Sequence, residues 1–167
     1  MLKIEFIHRI TKCAAVAALY TSLSLLLAPI SFGEFQIRLP EALSLLPVFG
    51  FDYVIAITLG CFASNFLGSS YGLPDIFFGT FSTFLSGVLT YLLRRNKYLA
   101  AIPPVVVNAA IVGAVISFSS GTPYYLSSLS IAASQAVVCF MAGIPFESFC
   151  RKRNLFSPIR YNRGNGN

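Results

Sequence analysis

The chain has 167 residues, of which 56% are hydrophobic and only 11% are charged, and its mean hydropathy is +0.73. Residues 98–146 form 49 consecutive positions without Asp, Glu, Lys or Arg, and a membrane span needs about 20 apolar residues. The net charge of +6 does not indicate nucleic-acid binding, because the basic residues fall in short groups that bracket the apolar runs, as in cytoplasmic loops. We predict an integral membrane domain over residues 1–152 and a basic, disordered or membrane-surface cytoplasmic tail over residues 153–167.

The first predicted span covers residues 10–30. A secretory signal peptide is the alternative, but its apolar region is about 7–15 residues long and ends at an A-x-A-like site. This run is longer and lacks a good cleavage site. Ala14, Ala18 and Ser22 recur every four residues, and small residues on one helix face allow another helix to approach closely in lipid. That face packs within the protein's own bundle, which the spacing favours, or docks a second membrane protein.

A cluster of polar residues follows the first span. Glu34, Gln36, Arg38 and Glu41 lie within eight positions, between long apolar runs. Polar groups between membrane spans are costly, so they indicate a functional site.

Five further apolar segments follow, over residues 39–50, 51–67, 76–93, 99–119 and 125–149. With the amino terminus in the cytoplasm, the basic loop at 94–97 returns there only if segment 39–50 also crosses. At about 1.5 Å per residue that segment is too short to cross upright, so we expect it to begin below the outer surface. Six crossings place both termini and eleven of the twelve basic residues in the cytoplasm, with Arg38 as the exception.

The same topology places Asn65, Asp75 and Asn108 in the outer half of the bundle, with Gln135 about half way down the last span. Each has a structural alternative, since carboxylates favour first helical turns and amides form hydrogen bonds between helices. Their shared depth with Arg38 and Glu41 favours a ligand pocket open to the outside. Carboxylates suit a cation or N–H donors, and amides suit a carbonyl or ring nitrogen. The residues predict a polar, planar solute.

Three classes of function remain open: a solute-binding component, a secondary carrier with a proton-carrying carboxylate, and a small membrane enzyme. The four cysteines are scattered without metal-ligand spacing, and the lone His8 lies at the opposite end from the predicted pocket. The chain contains neither H-E-x-x-H nor C-x-x-C, so we predict no metal, no cofactor and no catalytic site.

Residues 36–47 read Q-I-R-L-P-E-A-L-S-L-L-P, which resembles the signature Q-x-R-x-x-E-A-L-x-x-L-P of the queuosine-precursor transporter (QueT) family. The blocks G-C-F-A-S-N at 60–65, D-I-F-F-G-T at 75–80 and P-P-V-V-V-N-A at 103–109 are similar to later blocks of that family, in order. The resemblance covers about residues 10–150.

The resemblance implies a six-helix substrate-binding (S) component of an energy-coupling-factor (ECF) transporter in the cell membrane. Such a component captures a solute outside and releases it to the cytoplasm. Two partner ATPases and a transmembrane coupling protein supply the energy, and this chain has no G-x-x-x-x-G-K-[ST] loop of its own. Ala14 and Ala18 resemble the A-x-x-x-A motif that docks S components on the coupling protein, which reverses the preference from spacing alone.

The ligand implied by the resemblance is a deazaguanine base, with or without its aminomethyl group. Glu41 would accept two N–H bonds from its guanine-like edge, while Arg38 and Gln36 would address the keto oxygen. Asp75 would pair with the exocyclic amine. The set of substrate-binding residues is completed by Asn108, on the remaining edge, and Asn65.

Overall fold

The computed structural model describes residues 2–28, 38–69 and 71–156, and within these ranges all regular structure is helical. The predicted all-α fold is confirmed. The described residues form six helices, in chain order α1 (Leu2–Leu26), α2 (Leu39–Phe49), α3 (Asp52–Gly68), α4 (Asp75–Leu92), α5 (Lys97–Ser120) and α6 (Tyr124–Lys152).

Helix α2 is wound as a 3-10 helix and lies at the centre of the bundle. Nine of its eleven residues are buried, and it packs against α1, α3, α4, α6 and the start of α5. Pro47, inside this helix, has no N–H for the backbone ladder. Because a 3-10 helix rises about 2.0 Å per residue, α2 is about 22 Å long, whereas α-helical winding would give about 16 Å. The expected length assumed α-helical winding, and the tighter helix reaches further.

The helix ends form two opposite ends of the bundle. At the first, Arg9 of α1 donates to Asp52 at the start of α3 (Nε–Oδ2 3.0 Å), and Lys97 at the start of α5 donates to Ser148 near the end of α6 (3.0 Å). We call this the basic end. We call the opposite end the Asp75 end. There, Asp75 lies beside Arg38, the residue that precedes α2. Helices α1, α3 and α5 therefore run in one direction, and α2, α4 and α6 run back.

Within the described residues, three helices are long and apolar enough to cross a membrane: α4 with 18 residues, α5 with 24 and α6 with 29. Among the other described helices, α2 and α3 are shorter and apolar. The structure therefore contains six helices with three long apolar ones, and the six-crossing arrangement stays a prediction.

Helix α1 packs closely on α3 and leaves its alanine face on the surface. A Cβ atom at Gly60 would lie 2.8 Å from Cβ of Tyr20, so only glycine allows this approach. The hydroxyl of Thr21 donates to the Gly60 carbonyl across the same contact (3.1 Å). Ala14 and Ala18 are exposed. This face therefore does not pack against the described helices.

The first residues of the predicted tail pack against the basic end. The ring of Phe156 lies 5.3 Å from that of Tyr53, edge to face, and 6.0 Å from that of Phe49. Lys12 donates to the Leu155 carbonyl (3.3 Å). The tail beyond Phe156 lies outside the described residues.

Candidate functional site

The Asp75 end contains a buried ion pair. Arg38, which precedes α2, donates to both carboxylate oxygens of Asp75 through one terminal nitrogen (3.3 and 3.1 Å) and to Asn65 Oδ1 through the other (3.3 Å). These side chains are 6%, 0% and 1% exposed respectively. The three residues come from the entry to α2, the last turn of α3 and the first turn of α4. Their contact joins three chain segments at one point.

Asp75 accepts two further hydrogen bonds, one at its carboxylate and one at its backbone carbonyl. The Ser69 hydroxyl donates to its Oδ2 (2.6 Å), and the amide of Asn65 donates to its backbone carbonyl (3.1 Å). A buried charge is tolerated when it is paired and hydrogen-bonded. The guanidinium charge is thus balanced inside this cluster, and the Asp75 carboxylate is not presented to a ligand here.

The start of α4 is adapted to this cluster. The residues from Asp75 to Gly79 form a single π-helical turn, a widening that occurs often at functional sites. A Cβ at Gly79 would lie 2.8 Å from Nδ2 of Asn65 and 2.9 Å from Oδ1 of Asp75. The absent side chain at Gly79 therefore leaves the space in which the amide and carboxylate lie.

The Glu41 carboxylate is fully buried and forms its hydrogen bonds outside the Arg38–Asp75 cluster. Its Oε1 accepts from the hydroxyl of Tyr20 on α1 (2.6 Å), and its Oε2 accepts from Ser44 on α2. Glu41 and Ser44 are three residues apart, and in a 3-10 helix such residues lie directly one above the other. The Glu41 carboxylate therefore links α2 to α1.

A narrow cleft lies beside Arg38, between α5 and α6. It has an empty volume of about 190 Å³, but no point in it is wide enough for the centre of a water molecule. Its lining residues are Arg38, Asn108, Val112, Ile131 and Gln135. Asn108 and Gln135 are each 3% exposed. The Asn108 Oδ1 accepts from the Ser82 hydroxyl of α4, and the Gln135 Oε1 has only the distant Cys139 thiol (3.9 Å).

The predicted site residues thus fall into groups. Arg38, Asn65 and Asp75 meet in the ion-pair cluster, and Arg38 also lines the cleft with Asn108. Glu41 lies in the same half of the bundle but faces α1. Gln36 lies outside the described residues, and Ala14 and Ala18 lie on the surface of α1.

The structure adds partners that were not among the predicted site residues. Gln135 had been noted as a polar residue in a span, and the cleft now places it opposite Asn108. Tyr20, Ser44 and Ser69 carried no signal in the sequence, because hydroxyl residues occur throughout the chain and residue order does not show which of them meets a carboxylate.

Within residues 2–28, 38–69 and 71–156, no group of three or more His, Cys, Asp or Glu side chains is placed to hold a metal ion. The arrangement offers hydrogen bonds from amides and a guanidinium in an otherwise apolar cleft. Groups of this kind orient a polar solute where a site is wide enough to admit one, and this cleft as it stands is too narrow for a water molecule.

Two comparisons with known proteins give matches for this chain. A family model described as QueT transporter matches residues 10–152. The chain is also similar to a protein of Lactococcus lactis subsp. cremoris (strain MG1363) named "Queuosine precursor transporter QueT", with 44% identity over 96 residues. The match covers 54% of this chain and 56% of that relative, so the chain spans little more than half of the relative's length. No solved structure matches the chain.

Proposed function

Because this chain belongs to the QueT transporter family, we propose that it is the substrate-binding component for uptake of a queuosine precursor of the deazaguanine type. The observation that carries the proposal is the cleft lined by Arg38 and Asn108, which must widen to admit a flat, polar molecule between these groups. The relative's printed name, which refers to a queuosine precursor, supports the choice of ligand. In this function the chain binds and delivers its solute without chemical change.

In the proposed membrane arrangement all six helices cross, and both termini are cytoplasmic. The basic end then faces the cytoplasm, as the positive-inside pattern requires, and the Asp75 end faces outward. Two observations support this arrangement. Successive helices run in opposite directions, and α2 at about 22 Å covers most of the roughly 30 Å apolar core.

Within the site we assign direct ligand contact to Arg38 and Asn108. Asp75 and Asn65 hold the guanidinium of Arg38 at its present position, and they become ligand contacts only if that cluster opens. Glu41 likewise binds the guanine-like edge only after its hydrogen bond to Tyr20 or Ser44 breaks. Gln36, two residues before Arg38, completes the proposed set.

We further propose that energy comes from ECF partners, a transmembrane coupling protein and two ATPases. The exposed alanine face of α1 supports this, because Ala14 and Ala18 permit close approach of another helix in lipid. The alternative is a stand-alone secondary carrier.

Ligand binding by the purified protein tests the central proposal. In detergent and without ATP, calorimetry should detect binding of a deazaguanine base, and Asn108→Ala should weaken it about tenfold, as expected for one or two lost hydrogen bonds. Asn96→Ala, an exposed amide at the basic end, is the matched control and should bind normally. Binding of an unrelated vitamin with no response to deazaguanines would overturn the proposal.

Uptake in cells distinguishes the two energy sources. Deletion of every coupling module should abolish deazaguanine accumulation if ECF partners supply the energy. Accumulation that persists in such cells and collapses with a proton uncoupler would identify a carrier.

A further inference from the structure

The side-chain amides of Asn108 and Gln135 in the cleft have protein neighbours at their oxygens but, among the described residues, no acceptor at their nitrogens. Asn108 accepts from Ser82, yet its Nδ2 donates to no described residue, and the Nε2 of Gln135 likewise donates to none. Both side chains are 97% buried and both line the cleft. Neither nitrogen is among the fully buried side-chain atoms that lack a hydrogen-bond partner, so both remain accessible from the cleft.

The orientation of the Asn108 amide follows from its neighbour. The Ser82 hydroxyl donates to the Asn108 oxygen, which leaves the NH₂ group for the cleft. The nearest donor to the Gln135 oxygen is the Cys139 thiol at 3.9 Å, which lies about as near to the Glu41 carbonyl (4.0 Å). The Asn108 and Gln135 amides come from two helices and line the same cleft.

The charges around the cleft leave a cation without a partner. Among the described residues, Arg38 is the only charged residue in the lining, and its charge is balanced by Asp75. The Asp75 and Glu41 carboxylates are occupied, since Asp75 binds Arg38 and Ser69 while Glu41 binds Tyr20 and Ser44. An ammonium group beside the two amides would meet further N–H donors and no acceptor, and burial of an unpaired charge is costly.

We propose that Gln135 is a ligand-binding residue which, with Asn108, donates to acceptor atoms of an uncharged base, and that the cleft disfavours a cationic substituent beside them. This inference rests on the proposed function. On a deazaguanine, the keto oxygen and the substituent of the five-membered ring lie on the same edge, the one that guanine presents in the major groove. A donor pair that binds the keto oxygen therefore also meets that substituent. A nitrile there adds an acceptor, whereas a protonated aminomethyl group adds a charge.

The test compares two ligands on three proteins. Calorimetry with the purified protein in lipid nanodiscs would use the nitrile-bearing and the aminomethyl-bearing deazaguanine. Wild type should bind the nitrile form at least about tenfold more tightly, as expected when an acceptor that faces N–H donors is compared with a buried, unpaired charge. Gln135→Glu replaces the donor with a carboxylate of the same shape, and should reduce this preference about tenfold or reverse it. Asn96→Asp, the same chemical change at an exposed amide that caps α5, should leave the preference unchanged.

The outcomes separate this inference from the proposed function. Equal or tighter binding of the aminomethyl form by wild type, or an unchanged preference in Gln135→Glu, overturns the role of Gln135 and leaves the proposed function standing. Failure of wild type to bind either base overturns the proposed function. If Gln135→Glu does not fold, Gln135→Met keeps the size without the donor. It should weaken the nitrile form more than the aminomethyl form, and equal weakening contradicts the inference.

Discussion

The Arg38–Asp75 ion pair shows how one side chain acts on the site through another. The carboxylate is 0% exposed and both its oxygens are bonded to the guanidinium. When one partner of a buried pair is removed, the other is left as an uncompensated charge. The position of Arg38 in the cleft therefore depends on Asp75, although Asp75 does not line the cleft.

Asp75→Asn should lower the free energy of unfolding by about 3–5 kcal/mol, the range for breaking a buried pair. Deazaguanine affinity should fall with it, because Arg38 loses the partner that holds it. Chemical unfolding in detergent and calorimetry measure the two effects. Asp52→Asn is the matched control. It removes a carboxylate from the half-exposed pair with Arg9 and should cost less than about 1 kcal/mol. Equal losses in the two variants would contradict the assignment.

At the scale of the helices, two departures from α-helical winding position the site. The 3-10 winding of α2 directs Glu41 and Ser44 to the same side, since residues three apart eclipse at 3.0 residues per turn. The π turn at the start of α4 gives Asp75 its place beside Asn65. An α-helix at either position would turn these side chains in other directions.

Gly79→Ala should disturb the π turn. The new methyl group would lie within 3.0 Å of both Asn65 and Asp75, and overpacking of this kind costs about 1–3 kcal/mol. We expect lower stability and weaker ligand binding, measured as for Asp75→Asn. In Gly50→Ala, the control, the new atom has its nearest neighbour at 3.8 Å, and stability should change little. A Gly79→Ala protein that binds as well as wild type would show that the close fit is not needed.

The exposed face of α1 is the second element with a proposed role. Ala14→Leu enlarges a surface side chain without touching the cleft, so ligand binding should be retained while uptake in cells is lost. Val137→Leu enlarges an exposed residue on α6 and should leave both unchanged. Normal uptake by Ala14→Leu would argue against docking through this face.

For the whole molecule, the separation of charge supports the proposed orientation. The basic end contains Arg9, Lys97 and Arg151, whereas the Asp75 end contains Arg38, buried in its ion pair. The positive-inside pattern is a count of Lys and Arg near the ends of spans. Arg38 therefore stays the single basic exception to the proposed topology, and its ion pair explains how the fold tolerates a buried charge there.

Cysteine labelling tests this orientation. In a variant lacking the native cysteines, Ser119→Cys at the Asp75 end should react with a membrane-impermeant maleimide in intact cells. Asn96→Cys at the basic end should react only after permeabilisation. Both positions are exposed, so accessibility to the reagent differs only by the side of the membrane. The reverse pattern would invert the proposed topology, and labelling of both in intact cells would rule out an odd number of crossings between them.

Much of the fold was determined by the sequence itself. Apolar runs, helix-breaking turns and short basic groups are properties of consecutive residues, and they predicted an all-helical protein. The predicted boundaries of α2 to α6 lie close to those found, whereas α1 begins at Leu2 and not near residue 10. The motif at residues 36–47 likewise depends only on residue order. It indicated the family, and it directed attention to Arg38 and Glu41 before any contact was known.

The tertiary structure alone decided which polar groups meet. The direction of a side chain depends on how its helix is wound and on what packs against it, and neither the 3-10 winding of α2 nor the π turn of α4 follows from residue order. Hence the carboxylates of Glu41 and Asp75, which the sequence assigned to the ligand, are bonded to Tyr20 and Arg38. Gln135 instead lies in the cleft beside Asn108, because helices far apart in sequence bring their amides together only when the bundle packs.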